Sequence, residues 1–100
     1  MGCKAAFLFV APRANEKEHR TVINTPELEL TVVGVGNYRE AVEAAISLAA
    51  QGVEAIELCA GFGVNGVAEV KAAVDGKALV GVVRFDGHPA FGNRSGDELF

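Results

Sequence analysis

The stretch from Leu28 to Cys59, LELTVVGVGNYREAVEAAISLAAQGVEAIELC, decides the fold. Leu28–Val35 alternates at first and then turns wholly apolar, the pattern of a strand that ends up covered. Gly36-Asn37 breaks that run and opens a helix. Asn37 is an N-cap residue, and Glu40 three places on completes a capping-box pattern. Tyr38, Val42, Ala45, Ile46 and Ala49 then recur at helical spacing, with Arg39, Glu40, Glu43 and Ser47 on the other side. Gly52 supplies a left-handed residue after the helix, and Val53–Cys59 reads as strand again. Strand, helix and strand in one run form a βαβ unit, which implies a parallel sheet.

Working outward, Cys3–Ala11 (CKAAFLFVA) is apolar on both parities, as in a strand buried on both faces, and Pro12 stops it. Residues 13–20 are polar; Asn15 with Glu18 is placed to cap one helical turn. Thr21–Asn24 reads as a short edge strand and Thr25-Pro26-Glu27 as a turn. Beyond Cys59, Gly61–Gly66 leads into a shorter helix with Val67, Val70 and Val74 on one stripe, closed by Gly76. Ala78–Phe85 is a further strand, and residues 86–100 are a polar, Gly-rich tail. The expectation is one α/β domain over residues 1–100, ordered β-β-α-β-α-β, with a mostly parallel sheet of four to five strands and two main helices.

Composition narrows the function. Half of the 100 residues are apolar and 22% are charged, which excludes a disordered chain. Nine basic against thirteen acidic residues give a net charge of −4, the wrong balance for a nucleic-acid binder or for an anionic membrane surface. The run from Ala5 to Pro12 is far below the ~20 residues that cross a bilayer. The sequence after it lacks the small-residue cleavage site of a signal peptide, and Ala6 stands where myristoylation wants Ser or Thr. Cys3 and Cys59 lie far apart, with no CxxC, as expected of a reducing, cytoplasmic location.

Ligands in open parallel sheets bind beyond the carboxyl ends of the strands. That rim collects Arg13 from the first strand, Glu57 and Cys59 before Gly61-Phe62-Gly63, and Arg84, Asp86 and His88 after the last strand. Gly61 and Gly63 at a helix N-terminus would let backbone N–H groups approach a phosphate or carboxylate. With Gly66 they match G-x-G-x-x-G by spacing, but no acidic residue closes a strand about twenty residues on, as a dinucleotide site requires. The same glycines would serve a tight turn.

Glu57 and Cys59 share a parity. Arg84 is the natural partner for Glu57, either as a structural ion pair or as a pair gripping and orienting an anion, and Glu57 is also a candidate general base. Cys59 at a helix N-terminus is a candidate nucleophile with His88 as its base, or an inert buried thiol. Asp86 and His88 would form an acid–base pair, or a mixed metal site with Cys59 and Glu57; the bland reading is an Asp-Gly turn with His88 held by a backbone carbonyl. His19 and Arg20 are placed to close over the rim.

The segments LTVVGV (30–35), GVEAIELC (52–59), GFG (61–63) and VVRFDGHP (82–89) together resemble a family of small prokaryotic proteins of about this length, catalogued as a domain of unknown function. The resemblance extends to Ser95-Gly96-Asp97-Glu98. It implies a stand-alone cytoplasmic protein and assigns no activity or site. Gly52–Gly63 is also similar to the strand–glycine turns of phosphate-binding (β/α)-barrel enzymes, over one βα unit.

Two helices cannot dress both faces of a sheet of four strands, about 19 Å across. Right-handed crossovers running one way would put both on one side. Either the strand order reverses so that one helix lies on each side, incompletely, or another subunit covers the bare face. A homo-oligomer burying a sheet face or edge is the expectation, and Leu99 and Phe100 are placed to dock on a neighbouring subunit. The functional expectation is binding of a small anionic metabolite by Gly61, Phe62, Gly63, Arg84 and Arg13. The alternatives are a small lyase, isomerase or hydrolase using Glu57 or His88 with Cys59 and Asp86, and a structural subunit. No metal or cofactor is assigned.

Overall fold

A computed structural model describes residues 2–100. Strand β1 (Cys3–Val10) is followed by β2 (Arg20–Asn24), β3 (Leu28–Val35), helix α1 (Tyr38–Ala50), β4 (Ala55–Leu58), α2 (Val64–Val74) and β5 (Leu79–Val82). The sheet order is β2-β3-β1-β4-β5. β1 runs parallel to both β3 and β4, and β4 to β5, while β2 is antiparallel to β3 at the edge. The expected β-β-α-β-α-β order and mostly parallel sheet are thus present, with five strands.

Both crossovers run the same way, from β3 over β1 to β4 and from β4 to β5. Right-handedness therefore sets α1 and α2 side by side on one face. The pleat follows. Ala6, Leu8 and Val10 of β1, Val33 and Val35 of β3, and Ile56 and Leu58 of β4 point toward the helices and are 4% exposed or less. Ala5, Phe7 and Phe9 alternate with them and are only partly covered. The smallest dimension of the molecule, 21 Å, accommodates one sheet and one helix layer.

Helix α1 begins as its sequence dictates. Asn37 is extended, and its Oδ1 accepts the Glu40 N–H at 2.9 Å; Glu40 Oε1 accepts the N–H of Gly36 at 3.0 Å, one residue earlier than the usual capping box. The other end is met by Lys4 Nζ, which donates to the Gln51 carbonyl at 2.9 Å. Gly52 takes φ +97°. The buried stripe differs from the expected one: Tyr38, Ala41, Ala44, Ala45 and Leu48 face inward, and Ile46 is 49% exposed. Alanines let α1 lie close to both the sheet and α2, and that close packing outweighs burial of one larger side chain.

The last two strands are shorter than the apolar runs suggest, four residues each. Asn15 does cap a single turn, its Oδ1 accepting the N–H groups of Lys17 and Glu18. The tail is structured. It forms one 3-10 turn over Pro89–Phe91 and another over Gly96–Glu98, the second with a full Ser95/Glu98 capping box. Phe100 packs on Tyr38 and Phe91 of its own chain, with ring centroids 6.3 and 5.4 Å away, rather than being left for a neighbour. Among the described residues no helix is long and apolar enough to cross a membrane.

Replacing Asn37 by Ala should lower stability by about 1 kcal/mol, and replacing it by Ser or Asp by much less, as read from urea unfolding. Equal losses for all three would mean that the cap contributes nothing.

Candidate functional site

The site is built around the turn between β4 and α2. The Gly61 N–H donates to Cys59 Sγ at 3.2 Å and the Phe62 N–H to the Cys59 carbonyl at 3.1 Å, so the chain reverses directly after β4. Phe62 drops into the core, 1% exposed, and stacks on Tyr38 with centroids 5.7 Å apart and planes 10° from parallel. The next residue, Gly63, is the N-cap of α2 and has no side chain to hold the first turn.

A distant carboxylate does that work. Asp97 accepts the N–H groups of Asn65 at 3.0 Å and Gly66 at 3.2 Å, and also the hydroxyl of Tyr38 at 2.7 Å. Tyr38 Oη in turn accepts the Gly63 N–H at 3.0 Å. Ser95 holds the loop in place by accepting the Asp97 N–H at 3.1 Å. Space for this clasp is made by missing side chains. A Cβ on Gly63 would overlap the Asp97 carboxylate, one on Gly66 would lie 2.5 Å from the Tyr38 ring, and one on Gly96 would run into the Gly61 carbonyl. Burial works against the charge on Asp97, but the hydrogen bonds from Asn65, Tyr38 and Gly66 outweigh it and hold its carboxyl below the usual range. Burial, reinforced by the hydrogen bond to Asp97, pushes the Tyr38 phenol well above its ordinary value against the opposing pull of the Gly63 N–H. Among the described residues every buried side-chain polar atom has a partner.

Beside the clasp lies a pocket of about 120 Å³ at the carboxyl end of β5. Phe62, Val64, Val67, Val82 and Phe85 give it apolar walls, and Gly63, Ser95, Arg84 and Asp86 complete the lining. Arg84 Nε donates to Asp86 Oδ1 at 2.9 Å, with the two side chains 62% and 84% exposed. An ion pair so open to water contributes little to stability.

The rim residues therefore separate into distinct places. Phe62, Gly63, Arg84 and Asp86 come together at the pocket. Glu57 does not join them: it pairs in register with Phe7 and Gly81 and lines a groove on the sheet face away from the helices. The expected Glu57–Arg84 pair is absent because the pleat sends the two side chains to opposite faces, and Asp86 takes the guanidinium. Cys59 Sγ is occupied by the Gly61 N–H, and the thiol is not part of the pocket wall.

His88 sits between Phe85 and Phe91, with ring centroids 5.3 and 4.7 Å away, and its Nδ1 accepts the Ala90 N–H at 3.1 Å. It caps a turn as an acceptor, where donation to a carbonyl was expected. Arg13 is exposed in a left-handed conformation at φ 64°, in the β1–β2 loop. His19 Nδ1 accepts the Asn15 N–H and Arg20 opens β2, so neither closes over the pocket. Among the described residues no three His, Cys, Asp or Glu side chains converge as a metal site would, which removes the mixed Glu57, Cys59, Asp86 and His88 arrangement.

Sequence reasoning missed Tyr38 and Asp97. Tyr38 reads as an ordinary core position of α1, and Asp97 lies 32 residues from the N–H of Asn65 that it binds. The available signal was negative: α2 opens on Gly63 without a Ser, Thr, Asp or Asn cap, so a partner had to come from elsewhere.

Fold and site together define a two-layer α/β protein with a small apolar pocket at its strand ends and an internally capped helix. A model of a family described as "Family of unknown function (DUF6506)" matches residues 3–98, and the chain belongs to that family. No curated protein and no solved structure matches the chain.

The clasp makes stability depend on pH at both ends. Asp97, with its lowered carboxyl, stabilises the fold above the unfolded value of about 3.9, and this contribution is lost as pH falls through the lower folded value. Tyr38, raised, stabilises below about 10 and loses its contribution above that. Asp97→Asn should cost about 1 kcal/mol at pH 7, allowing for solvent screening. The gap from the parent protein in urea unfolding should close below about pH 4; a constant gap across the titration would exclude the charge as its cause.

Proposed function

We propose that this protein binds a small anionic metabolite at the carboxyl ends of its strands, in the pocket beside the α2 N-terminus. The observation that carries this reading is the composition of the pocket wall. Apolar side chains make most of it, and the lining includes one guanidinium, that of Arg84. Arg84 uses Nε for Asp86, and among the described residues its terminal nitrogens carry no hydrogen bond. Those two nitrogens suit a bidentate grip on a carboxylate or phosphate. Gly61 and Gly63 are not the anion's donors, because their N–H groups already serve Cys59 Sγ and Tyr38 Oη.

Size limits the ligand. An apolar cavity of roughly 150 Å³ takes one benzene ring, so about 120 Å³ limits the enclosed part of the ligand to a short branched chain or at most one ring, with the charged group outside it. Phosphate alone would leave the apolar wall unused.

Self-association is a second reading, and one observation favours it. Both helices cover the same face of the sheet, and the opposite face carries partly exposed apolar side chains on every strand.

Benzoate and phenyl phosphate should raise the melting temperature in a concentration-dependent way, with neutral benzyl alcohol much weaker. Arg84→Ala should leave the ligand-free melting temperature unchanged and weaken both anions at least about tenfold by calorimetry. Equal affinity for the alcohol, or anion binding untouched in Arg84→Ala, would overturn the assignment.

A further inference from the structure

We infer that the uncovered face of the sheet is closed by the same face of a second copy, giving a two-fold sandwich of four layers, helix–sheet–sheet–helix. This rests on the reading that the protein self-associates and states which surface does it. The pleat selects the residues. Ile23 on β2, Leu30 and Val32 on β3, Phe7 on β1 and Leu79 on β5 all point away from the helices. Ile23 is 50% exposed and Leu79 78%, values that a strand residue reaches only when nothing lies over it.

The chemistry of the face points to its occupant. No Lys or Arg projects from this side of the paired strands, so a nucleic acid or an acidic partner finds no cation there. Glu57 is its one carboxylate. The fitting partner is therefore apolar and as flat as a sheet, and a second copy supplies that at equal concentration.

Relief fits as well. Ala5, Ala55 and Gly81 are small and floor a groove of about 370 Å³, while Phe7 is a large side chain on the same central strand. An isologous contact sets the bulk of each copy against the hollow of the other.

Area decides between a stable dimer and a passing contact. Five strands at ~4.8 Å give a width of about 24 Å, and strand lengths of roughly 13–26 Å give a plane of about 450 Å². Side-chain relief raises this to roughly 600–700 Å² per copy, or about 1,200–1,400 Å² in all, which reaches the lower part of the range for specific interfaces. The same patch exceeds what monomers ordinarily leave open, about 300–600 Å². Pairing through the β2 or β5 edge would leave it uncovered.

Two neighbouring residues of β2 separate face from edge. Val22 and Ile23 are 47% and 50% exposed, but Val22 pairs with buried Thr31 on the helix side and Ile23 pairs with Leu30 on the open side. Sedimentation velocity on the full chain should show a dimer at tens of micromolar. Ile23→Asp and Leu79→Asp should each weaken the dimer roughly a hundredfold or more, because each adds two carboxylates to a contact that already holds the two Glu57 side chains and no cation. Val22→Asp should leave the dimer intact. Far-ultraviolet circular dichroism should show all three variants folded, since each changed side chain is exposed in the protomer.

A parent dimer that Ile23→Asp and Leu79→Asp leave unchanged would overturn the face while leaving self-association standing. So would a dimer lost equally in Val22→Asp and Ile23→Asp, which marks the β2 edge. A parent protein that sediments as a monomer throughout would overturn both.

Discussion

The carboxylate of Asp97 at the first turn of α2 is the constraint on which the rest of the site depends. A helix that begins on glycine presents N–H groups with no partner, and in the interior each would cost the desolvation of a bare donor. This chain meets that need from its far end. Asp97 takes two of those donors and the Tyr38 hydroxyl, and Tyr38 takes the Gly63 N–H. One carboxylate thereby ties together the first residue of α1, the start of α2 and the C-terminal turn. The pocket owes its shape to this, because Phe62, Gly63 and Ser95 are fixed by the clasp and Val64 and Val67 by the helix it starts.

The same constraint explains why the strongest anion-binding signal in the sequence had another use. Gly61, Gly63 and Gly66 before a helix do mark a place where negative charge is favourable. The charge is the protein's own. Each glycine has a neighbour pressing close: Tyr38 against Gly66, Asp97 against Gly63, and Val10 with Cys59 against Gly61. Glycine spacing alone reports close approach of something to the backbone, and cannot say whether that something is a ligand or the chain itself.

What could be read in advance was what local patterning controls. The β3–α1–β4 unit follows from alternation, an N-cap and a left-handed glycine, all within a few residues of one another, and β3 spans the residues its pattern marks. The side of the sheet taken by the helices stays open in the sequence, because crossover handedness fixes it only once the strand order is known. Ends of strands were less legible, since β4 and β5 stop where neighbours stop pairing, well inside their apolar runs. The pocket was half legible: Phe62, Gly63, Arg84 and Asp86 were named from their place at the strand ends. Glu57 was misplaced because parity within β4 reads plainly, whereas the parity of Arg84 relative to it depends on the β4–β5 register. The tail was hardest. A Gly-rich polar composition describes a loop in water and a docked cap equally well, and only contacts across the whole chain tell them apart.

The two surfaces without a partner lie on opposite sides of β5, the shortest element they share. Val82 lines both the pocket and the groove, while Leu79 and Gly81 line the groove and not the pocket. A four-residue edge strand paired on one side is held by few hydrogen bonds and is drawn from the less stable part of a fold. Its position is set by α2 packed above it and by β4 beside it. Since α2 is started by Asp97, the clasp bears on β5 at one remove, and through β5 on the wall between pocket and groove. Any movement of that strand changes both surfaces together, whereas β2, at the opposite edge, lines no part of the pocket.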